Sequence, residues 1–302
     1  RGQRLTEYVI GAEFEVMTDL AIGLKVISRD LTRVIEDALT ADGGYYIGNP
    51  GHGLMTGTYD IGYTYGLNDV LHAVPEPKRT FEGIELTAQK RFSNNFQFIF
   101  SALLSRLYGN YDGLFQASTD QLDPNLNSAY DYYDFMVNND GYLSNDRRQQ
   151  YRVDGVYRFD WGLNLGVSMY YMTGTPIAAM GYSEPYNNWE YYLSRRDAFG
   201  RVGAQWEADL HLGYPVRLGD SAELNLLMDV FNLFNRQGET RRDMRYTTAD
   251  DAPYRPLDWD TGLPNPPITP DSIDRPPTAP SFNTPLTWQA PRSIRLGVRL
   301  SF

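Results

Sequence analysis

The last ten residues, Ser293 to Phe302, read SIRLGVRLSF. Successive side chains of an extended strand point to opposite faces. Ile294, Leu296, Val298, Leu300 and Phe302 therefore share one face, while Arg295, Gly297, Arg299 and Ser301 share the other. A wholly apolar face backed by two arginines suits a strand with lipid on one side and water on the other. Eight earlier stretches alternate in the same way and pair into hairpins. Leu5 to Met17 sets Tyr8, Ile10, Ala12, Phe14 and Val16 against Gly11, Glu13 and Glu15, then turns at Thr18-Asp19. It returns as Leu20 to Arg29, with Leu20, Ile22, Leu24 and Val26 against Gly23, Lys25 and Arg29. Phe81 to Phe92 sets Ile84, Leu86 and Ala88 against Glu85, Thr87, Gln89 and Arg91, and comes back after Ser93-Asn94-Asn95 through Phe96, Phe98, Phe100, Ala102 and Leu104. Tyr151, Val153, Tyr157 and Phe159 oppose Arg152, Asp154 and Arg158 before Asp160-Trp161-Gly162 leads into Leu163, Leu165, Val167, Met169 and Tyr171. Trp206, Ala208, Leu210, Leu212 and Tyr214 oppose Gln205, Glu207, Asp209, His211 and Gly213, and Gly219-Asp220-Ser221 turns the chain into Leu224, Leu226, Met228 and Val230.

Connections within hairpins are short, whereas those between hairpins are long, roughly Asp30 to Lys78, Asn110 to Arg147 and Arg236 to Arg292. Eleven of the 18 prolines lie between Pro253 and Pro291, which predicts an extended loop there rather than a helix. Each strand is near the ~9–11 residues that cross a bilayer at a tilt. Short turns alternating with long loops then predict an all-β fold, a transmembrane antiparallel up-and-down β-barrel. Nine strands cannot close an even-numbered single-chain bacterial barrel, and open edges in lipid leave backbone groups unpaired at several kcal/mol each. The expectation is that residues 1–302 form a C-terminal β-barrel segment, about nine strands of something larger. A start at Arg1, with neither methionine nor signal peptide, reads as a mature product or a fragment. On the faces expected to meet lipid the one charge is Lys90, two residues from Phe92. Near the turn a cation costs roughly 0–1 kcal/mol, against about 2–4 at mid-bilayer.

Composition narrows the functional classes. The 302 residues, 42% of them hydrophobic, suffice for one large or two ordinary domains. Mean hydropathy is −0.47, and no run approaches the ~18 apolar residues of a membrane helix, a test that alternating strands escape. A net charge of −11 argues against nucleic acid as a partner. The absence of cysteine removes disulfides, thiol catalysis and thiolate metal sites.

The candidate lumen-facing residues are Glu85, Arg91, Arg152, Asp154, Arg158, Glu207, Asp209, His211, Asp229, Arg295 and Arg299. They are expected to pair with one another or with whatever fills the barrel. Leu227 and Phe231 break that polar face and are expected to pack against the filling. The histidines, His52, His72 and His211, are scattered. His211 has Asp209 and Glu207 beside it, but alternate residues of one strand stand ~7 Å apart and need other strands to chelate anything. No metal, cofactor or catalytic residue is expected. A lipid-attacking serine hydrolase would need a nucleophile within reach of a histidine, and here no nucleophile elbow occurs and His211 faces the lumen. Asp131 to Asp134, Asp250-Asp251 and Asp258-Trp259-Asp260 offer oxygen ligands for Ca²⁺ but match no EF-hand spacing, so solvated loops are favoured. Tyr186, Trp189, Tyr191 and Tyr192 are candidate loop contacts to a sugar, peptide or siderophore, because such rings give rigid area with a polar tip. The alternative is that they belong to an interfacial aromatic girdle.

Leu224 to Asn235, LNLLMDVFNLFN, followed by a long loop and PRSIRLGVRLSF, resembles the C-terminal end of TonB-dependent outer-membrane receptors. In that family an aromatic-Asn-aliphatic-aromatic-Asn run caps the penultimate strand, matched here by Phe231-Asn232-Leu233-Phe234-Asn235. A final alternating strand ending in an aromatic is the signal read by the barrel-assembly machinery, matched by Ile294 to Phe302 with Leu300 and Phe302 at its end. Thr173-Gly174-Thr175-Pro176 and the Pro-rich last loop look most like the Oar-like branch. The resemblance implies a 22-stranded barrel with a plugged lumen, of which this chain would supply the last nine strands. It places the chain in the bacterial outer membrane, loops extracellular and C-terminus periplasmic, with the plug domain and N-terminal strands lying outside this sequence. Implied partners are that plug domain, the remaining barrel strands, a TonB-type energy-coupling protein, the barrel-assembly machinery, outer-membrane lipid and lipopolysaccharide, and a surface lipoprotein. The implied activity is energy-coupled uptake of a scarce solute such as a siderophore, cobalamin, glycan or peptide, with no covalent chemistry. The alternative is a structural or protein-interaction barrel, adhesin-like or part of an export or envelope complex.

Overall fold

A computed structural model of the chain describes residues 1–39, 45–52, 58–60, 71–115, 118, 128–131, 133–183, 187–219, 221–248, 255–258, 261, 263–272 and 278–302. Nine long strands are present: β1 (Arg4–Met17), β2 (Leu20–Thr32), β3 (Arg79–Ser93), β4 (Phe96–Gly109), β5 (Gln149–Arg158), β6 (Asn164–Met172), β7 (Gln205–Arg217), β8 (Glu223–Phe231) and β9 (Ser293–Ser301). They form one antiparallel sheet in chain order, with the short strand Gly141–Tyr142 added beside β4. The hairpin turns supply the backbone this order needs. Asp19, Gly162 and Gly219 have φ of 68°, 103° and 77°. Asn94 and Asn95 are both left-handed, at 52° and 70°, the requirement of a type I′ turn whose twist matches the strands it joins.

Directly opposed residues of neighbouring strands share a face, and the registers bring the apolar sets together. Ile10 lies opposite Val26, Val26 opposite Ile84, and Ile84 opposite Leu104. Val153 follows between Phe100 and Met169, and Leu226 lies opposite Val298. The result is an apolar band across the sheet that points outward, with Ile10 79% and Leu296 76% exposed. So continuous an exposed apolar face fits a hydrocarbon surrounding rather than water. Aromatic rings border the band, as at the two interfaces of a membrane barrel. At the short-turn end Tyr157, Phe159, Trp161 and Tyr214 run in contact, with centroids 4.7, 5.4 and 5.9 Å apart. Tyr151 and Tyr171, 5.8 Å apart, and Trp206 and Phe234, 5.6 Å apart, stand at the long-loop end.

Strands β2, β3 and β4 run several residues past the alternation expected of them, and there the outward face turns polar. Asp30, Glu82 and Arg106 share it, with Glu82 and Arg106 paired at 2.8 Å, so Lys90 is not its only charge. These residues lie beyond the apolar band, where the strands leave hydrocarbon. Lys90 itself does not face lipid. A bulge between Lys90 and Ser93 lets its Nζ fold back into the turn, 8% exposed, donating to Ser93 O at 2.9 Å and Ser93 Oγ at 2.7 Å and lying 4.0 Å from the Phe96 ring centre. The same bulge sets Phe92 beside the Arg158 guanidinium, 5.7 Å from its ring centre.

Most of the buried side chains are in the loops rather than the wall. Val34, Tyr111, Ala129, Tyr130 and Met136 form one cluster, and Phe135, Ala179, Tyr191, Leu193, Tyr246 and Ile268 form another. The loops also carry small elements: hairpins Glu36–Leu39 with Tyr45–Gly48, Thr58–Asp60 with Leu71–Ala73 and Met180–Ser183 with Asn188–Tyr192, and, among the described residues, one helical turn, Tyr133–Met136. The Pro-rich segment is closed at its base by Glu239–Arg242 paired with Pro285–Trp288, and its described residues hold no helix. Among the described residues no helix is long and apolar enough to cross a membrane.

Candidate functional site: a charged inner face beneath a folded loop cap

Register gathers the predicted lumen residues on the face opposite the apolar band. Asp154 accepts from Arg152 Nε at 2.7 Å and from Ser168 Oγ at 2.7 Å. His211 Nδ1 lies 2.6 Å from Asp229 Oδ1, and Asp229 Oδ2 accepts from Arg295 Nε at 2.8 Å, a chain of polar contacts across β7, β8 and β9. Asp209 accepts from the Asn232 N–H at 2.8 Å, and Glu207 stands opposite Tyr170. Glu85 faces Lys25 at 3.5 Å, and Arg158 Nε donates to Asn164 Oδ1 at 3.0 Å. Arg299 lies opposite Asn225, while Arg91 falls in the bulge with its N–H bonded to Asp19 O. The Glu7–Arg29 pair, at 2.8 Å, joins this face without having been singled out in the sequence. His211 is engaged by Asp229, and no three His, Asp or Glu among the described residues are placed to hold a metal ion.

Leu227 and Phe231 also have partners within the wall itself. Leu227 is flanked in register by Gly213 and Gly297 and covers bare backbone, since a Cβ on either glycine would lie 3.5 Å from it. Phe231 lies under the Arg295 guanidinium, 5.4 Å from ring centre to carbon.

The loop aromatics divide. Tyr191 and Tyr192 are 1% and 2% exposed, so neither is a surface contact as expected from sequence. Strand Asn188–Tyr192 is covered on both sides. Tyr191 packs on Phe135 with centroids 5.2 Å apart, and the Tyr192 hydroxyl accepts from Arg196 Nη1 at 2.9 Å and lies 2.8 Å from Ser118 Oγ. Burial pushes the Tyr192 hydroxyl up to about 12. Trp189 instead lines a cavity of about 220 Å³ with Met180, Asn188, Arg241, Arg242 and Asp243. Its Nε1 donates to Thr247 O at 2.6 Å, and Arg245, ion-paired with Asp243 at 2.6 Å, lies over its ring. Tyr186, Asp250, Asp251, Trp259 and Asp260 lie outside the described residues. Asp131 and Asp134 are buried in the cap rather than solvated.

Arg196 and Asp112 tie the cap together, 84 positions apart in sequence. Their side chains are both 2% exposed and meet at 2.6 Å. Asp112 also accepts from Ser144 N and Oγ at 3.1 and 2.9 Å, and Arg196 donates to Asn139 O. Burial alone would raise the Asp112 carboxyl, but the Arg196 charge and the Ser144 hydrogen bonds outweigh it and hold the group below its ordinary value. Burial raises the carboxyl of Glu36 to about 8, with Asp37 and Asp131 adding to the shift and a hydrogen bond from Tyr111 opposing it. Neither cluster has a sequence signature, because its members come from separate loops.

The Phe231-to-Asn235 run acquires a physical role. Asn232 and Asn235 both adopt left-handed backbone, φ 51° and 52°. The Asn232 amide donates to Arg236 O at 2.8 Å and Ala290 O at 2.7 Å, while Asn235 Oδ1 accepts from Arg292 N at 2.9 Å. Two asparagines thus pin both ends of the long last loop beside β9.

No family model matches the chain. TonB-dependent transporter Oar of Myxococcus xanthus is 32% identical over 318 aligned positions, which cover 100% of this chain and 28% of Oar. The ferripyoverdine receptor of the outer membrane of Pseudomonas aeruginosa, bound to ferripyoverdine, superposes with a TM-score of 0.51 at 13% identity, covering 99% of this chain and 27% of the receptor. The FpvAI–pyocin S2 complex gives 0.51 at 13% identity, again over 99% and 27%. The chain thus spans less than a third of the length of these proteins, and the structural likeness speaks for fold alone. With a relative matched along its whole length, a two-faced strand wall of the same fold, and the asparagine-capped penultimate strand leading to an alternating last one, the chain belongs to the TonB-dependent outer-membrane receptors, as a segment of their β-barrel.

Proposed function

We propose that this chain is the C-terminal part of the barrel of an energy-coupled transporter that takes up a scarce solute, a siderophore, cobalamin, glycan or peptide. The observation that carries this reading is the wall itself: an apolar outer band backed by an inner face of paired charges, in strands whose sheet is open at both sides. Among the described residues neither β1 nor β9 has a second neighbouring strand. In lipid such edges are costly, so further strands of the same barrel close them, with a plug domain inside. Long loops face outward and Phe302 faces the periplasm, where a TonB-type partner supplies energy and the assembly machinery reads Leu300 and Phe302. The solute meets the loop cap, Trp189 first among the predicted contacts, and no bond of it is made or broken. The test is uptake. Deleting the region encoding this chain should abolish energy-dependent accumulation of one solute, and unchanged accumulation of every solute tested would refute the reading.

A protein-binding barrel is the second reading. Loops that bury a core of their own present a firm surface, the kind that suits a protein partner. A protein stably retained on the loop side, with solute uptake intact after deletion, would favour it.

A further inference from the structure

Leu263 to Pro270, LPNPPITP, lies in the last long loop and belongs to neither helix nor strand. Proline fixes its own φ near −65° and steers the residue before it to extended backbone. Pro264, Pro266, Pro267 and Pro270 therefore bias every residue of the stretch but Ile268 to the polyproline II conformation, a left-handed helix of three residues per turn. Exposure follows that period. Asn265 and Ile268, three apart, turn inward, the first half-buried and the second 2% exposed, while Pro264, Pro266, Pro267 and Pro270 are exposed. The inward edge is fastened from below. Ile268 packs in the cluster of Phe135, Tyr191 and Tyr246, and its N–H donates to Leu193 O at 2.7 Å. Asn265 donates from its N–H to Pro256 O at 2.8 Å and from Nδ2 to Arg255 O at 3.0 Å. Thr269 N donates to Ser272 Oγ at 2.8 Å, where the run ends. The loop core thus presents an ordered ridge of proline rings, with Pro264, Pro267 and Pro270 about 9 Å apart along one edge.

We infer that this ridge is a docking element for a second protein, one that receives it in a groove of aromatic rings with a basic rim. Proline rings offer flat apolar faces, and lacking an N–H they leave the ridge able to accept hydrogen bonds but short of donors. A strand pairing with this backbone would find few partners, whereas Trp and Tyr supply both a ring and a donor. The fold has already ordered the segment, which removes much of the entropy that binding a free chain would cost. Residues 256–274 hold four aspartates and no Lys, Arg or His, a charge that complements a cationic rim. The inference rests on the outward-facing loops of the proposed barrel and is independent of whether a solute is moved. Its test uses the intact receptor in cells of its own organism, with the photoreactive residue benzoylphenylalanine in place of Leu263, whose side chain is 60% exposed beside the ridge. Light should join it to one protein, and that protein, purified, should bind a synthetic LPNPPITP peptide saturably. Replacing Pro264, Pro267 and Pro270 by alanine should weaken both the cross-link and the peptide affinity about tenfold or more, as expected for three lost ring contacts. Heat-modifiable gel migration shows that the triple variant is folded. Alanine restores three N–H groups, so undiminished or tighter binding by the triple variant would mean strand pairing and would overturn the assignment. A cross-link no stronger than that from the same photoreactive residue at Leu218, exposed beside a short turn, would overturn it too, as would a captured protein that does not bind the peptide. Loss or retention of solute uptake leaves these outcomes unchanged, so the two readings fail separately.

Discussion

Replacing Asp112 by alanine removes the carboxylate at the centre of the loop cap. Arg196 then keeps its cation–π contact with Tyr192, 4.5 Å from the ring centre, and its bond to Asn139 O, but its charge is uncompensated at 2% exposure. Breaking a buried pair by removing one partner costs about 3–5 kcal/mol. The Ser144 N–H and Oγ lose their shared acceptor as well. Because the pair holds loops rather than wall strands, the cost should fall on local opening of the cap. Backbone amides of residues 107–115, 133–147, 177–183 and 187–201 should exchange with deuterium about a hundred- to several-thousand-fold faster, as a free-energy loss of that size implies, while β5 and β6 remain protected. Asp112→Leu combined with Arg196→Met should recover most of the protection, since an apolar pair of similar volume is often neutral against a buried ion pair. Unchanged exchange in Asp112→Ala, or a double variant worse than either single one, would refute this account of the cap.

Other perturbations follow from the same geometry. Glu36 has a native value of about 8 against an ordinary 4.5, so its contribution is fully present below about pH 4.5 and is lost as pH rises through about 8. Protection around Val34, Tyr111 and Tyr130 should therefore fall between pH 5 and 9, and Glu36→Gln should flatten that slope; the same slope in the variant would exclude Glu36 as its source. At Gly174 a Cβ would lie 1.8 Å from Val202 O, so Gly174→Ala should destabilise the loop by about 1–3 kcal/mol and speed protease nicking between residues 173 and 202. Asn232→Ala loses both loop-pinning hydrogen bonds and its tolerance of positive φ, about 2–4 kcal/mol together, lowering the temperature at which the barrel unfolds on gels. Asn232→Gly should recover the backbone share alone.

The wall was legible because membrane and water impose a period of two on every strand, and turn residues such as Asn94-Asn95 fix where each strand reverses. Inner-face pairs such as His211 with Asp229 followed once the register was known. What escaped was set by the third dimension. Lys90 reads as a charge in the lipid face because alternation ignores the bulge that folds its ammonium back onto Ser93. Leu227 reads as an apolar intruder until Gly213 and Gly297 are seen beside it. Tyr191 and Tyr192 read as surface aromatics because composition cannot distinguish a ring that grips a ligand from one that fills a loop core. Arg196 and Asp112 belong to loops joined only by folding, and no spacing rule links them.

These 302 residues hold no cysteine, so once any cysteine elsewhere in the receptor is replaced by serine the two-faced wall is directly measurable. Single cysteines placed in turn from Ile294 to Leu300, spin-labelled in the intact receptor in bilayers, report collisions with oxygen, which concentrates in lipid, and with a water-soluble nickel complex. Positions 294, 296, 298 and 300 should favour oxygen and positions 295, 297 and 299 the nickel complex, in strict alternation. Equal access of both reagents along the strand, or nickel access at Leu296 matching that at Arg295, would contradict the account at its root.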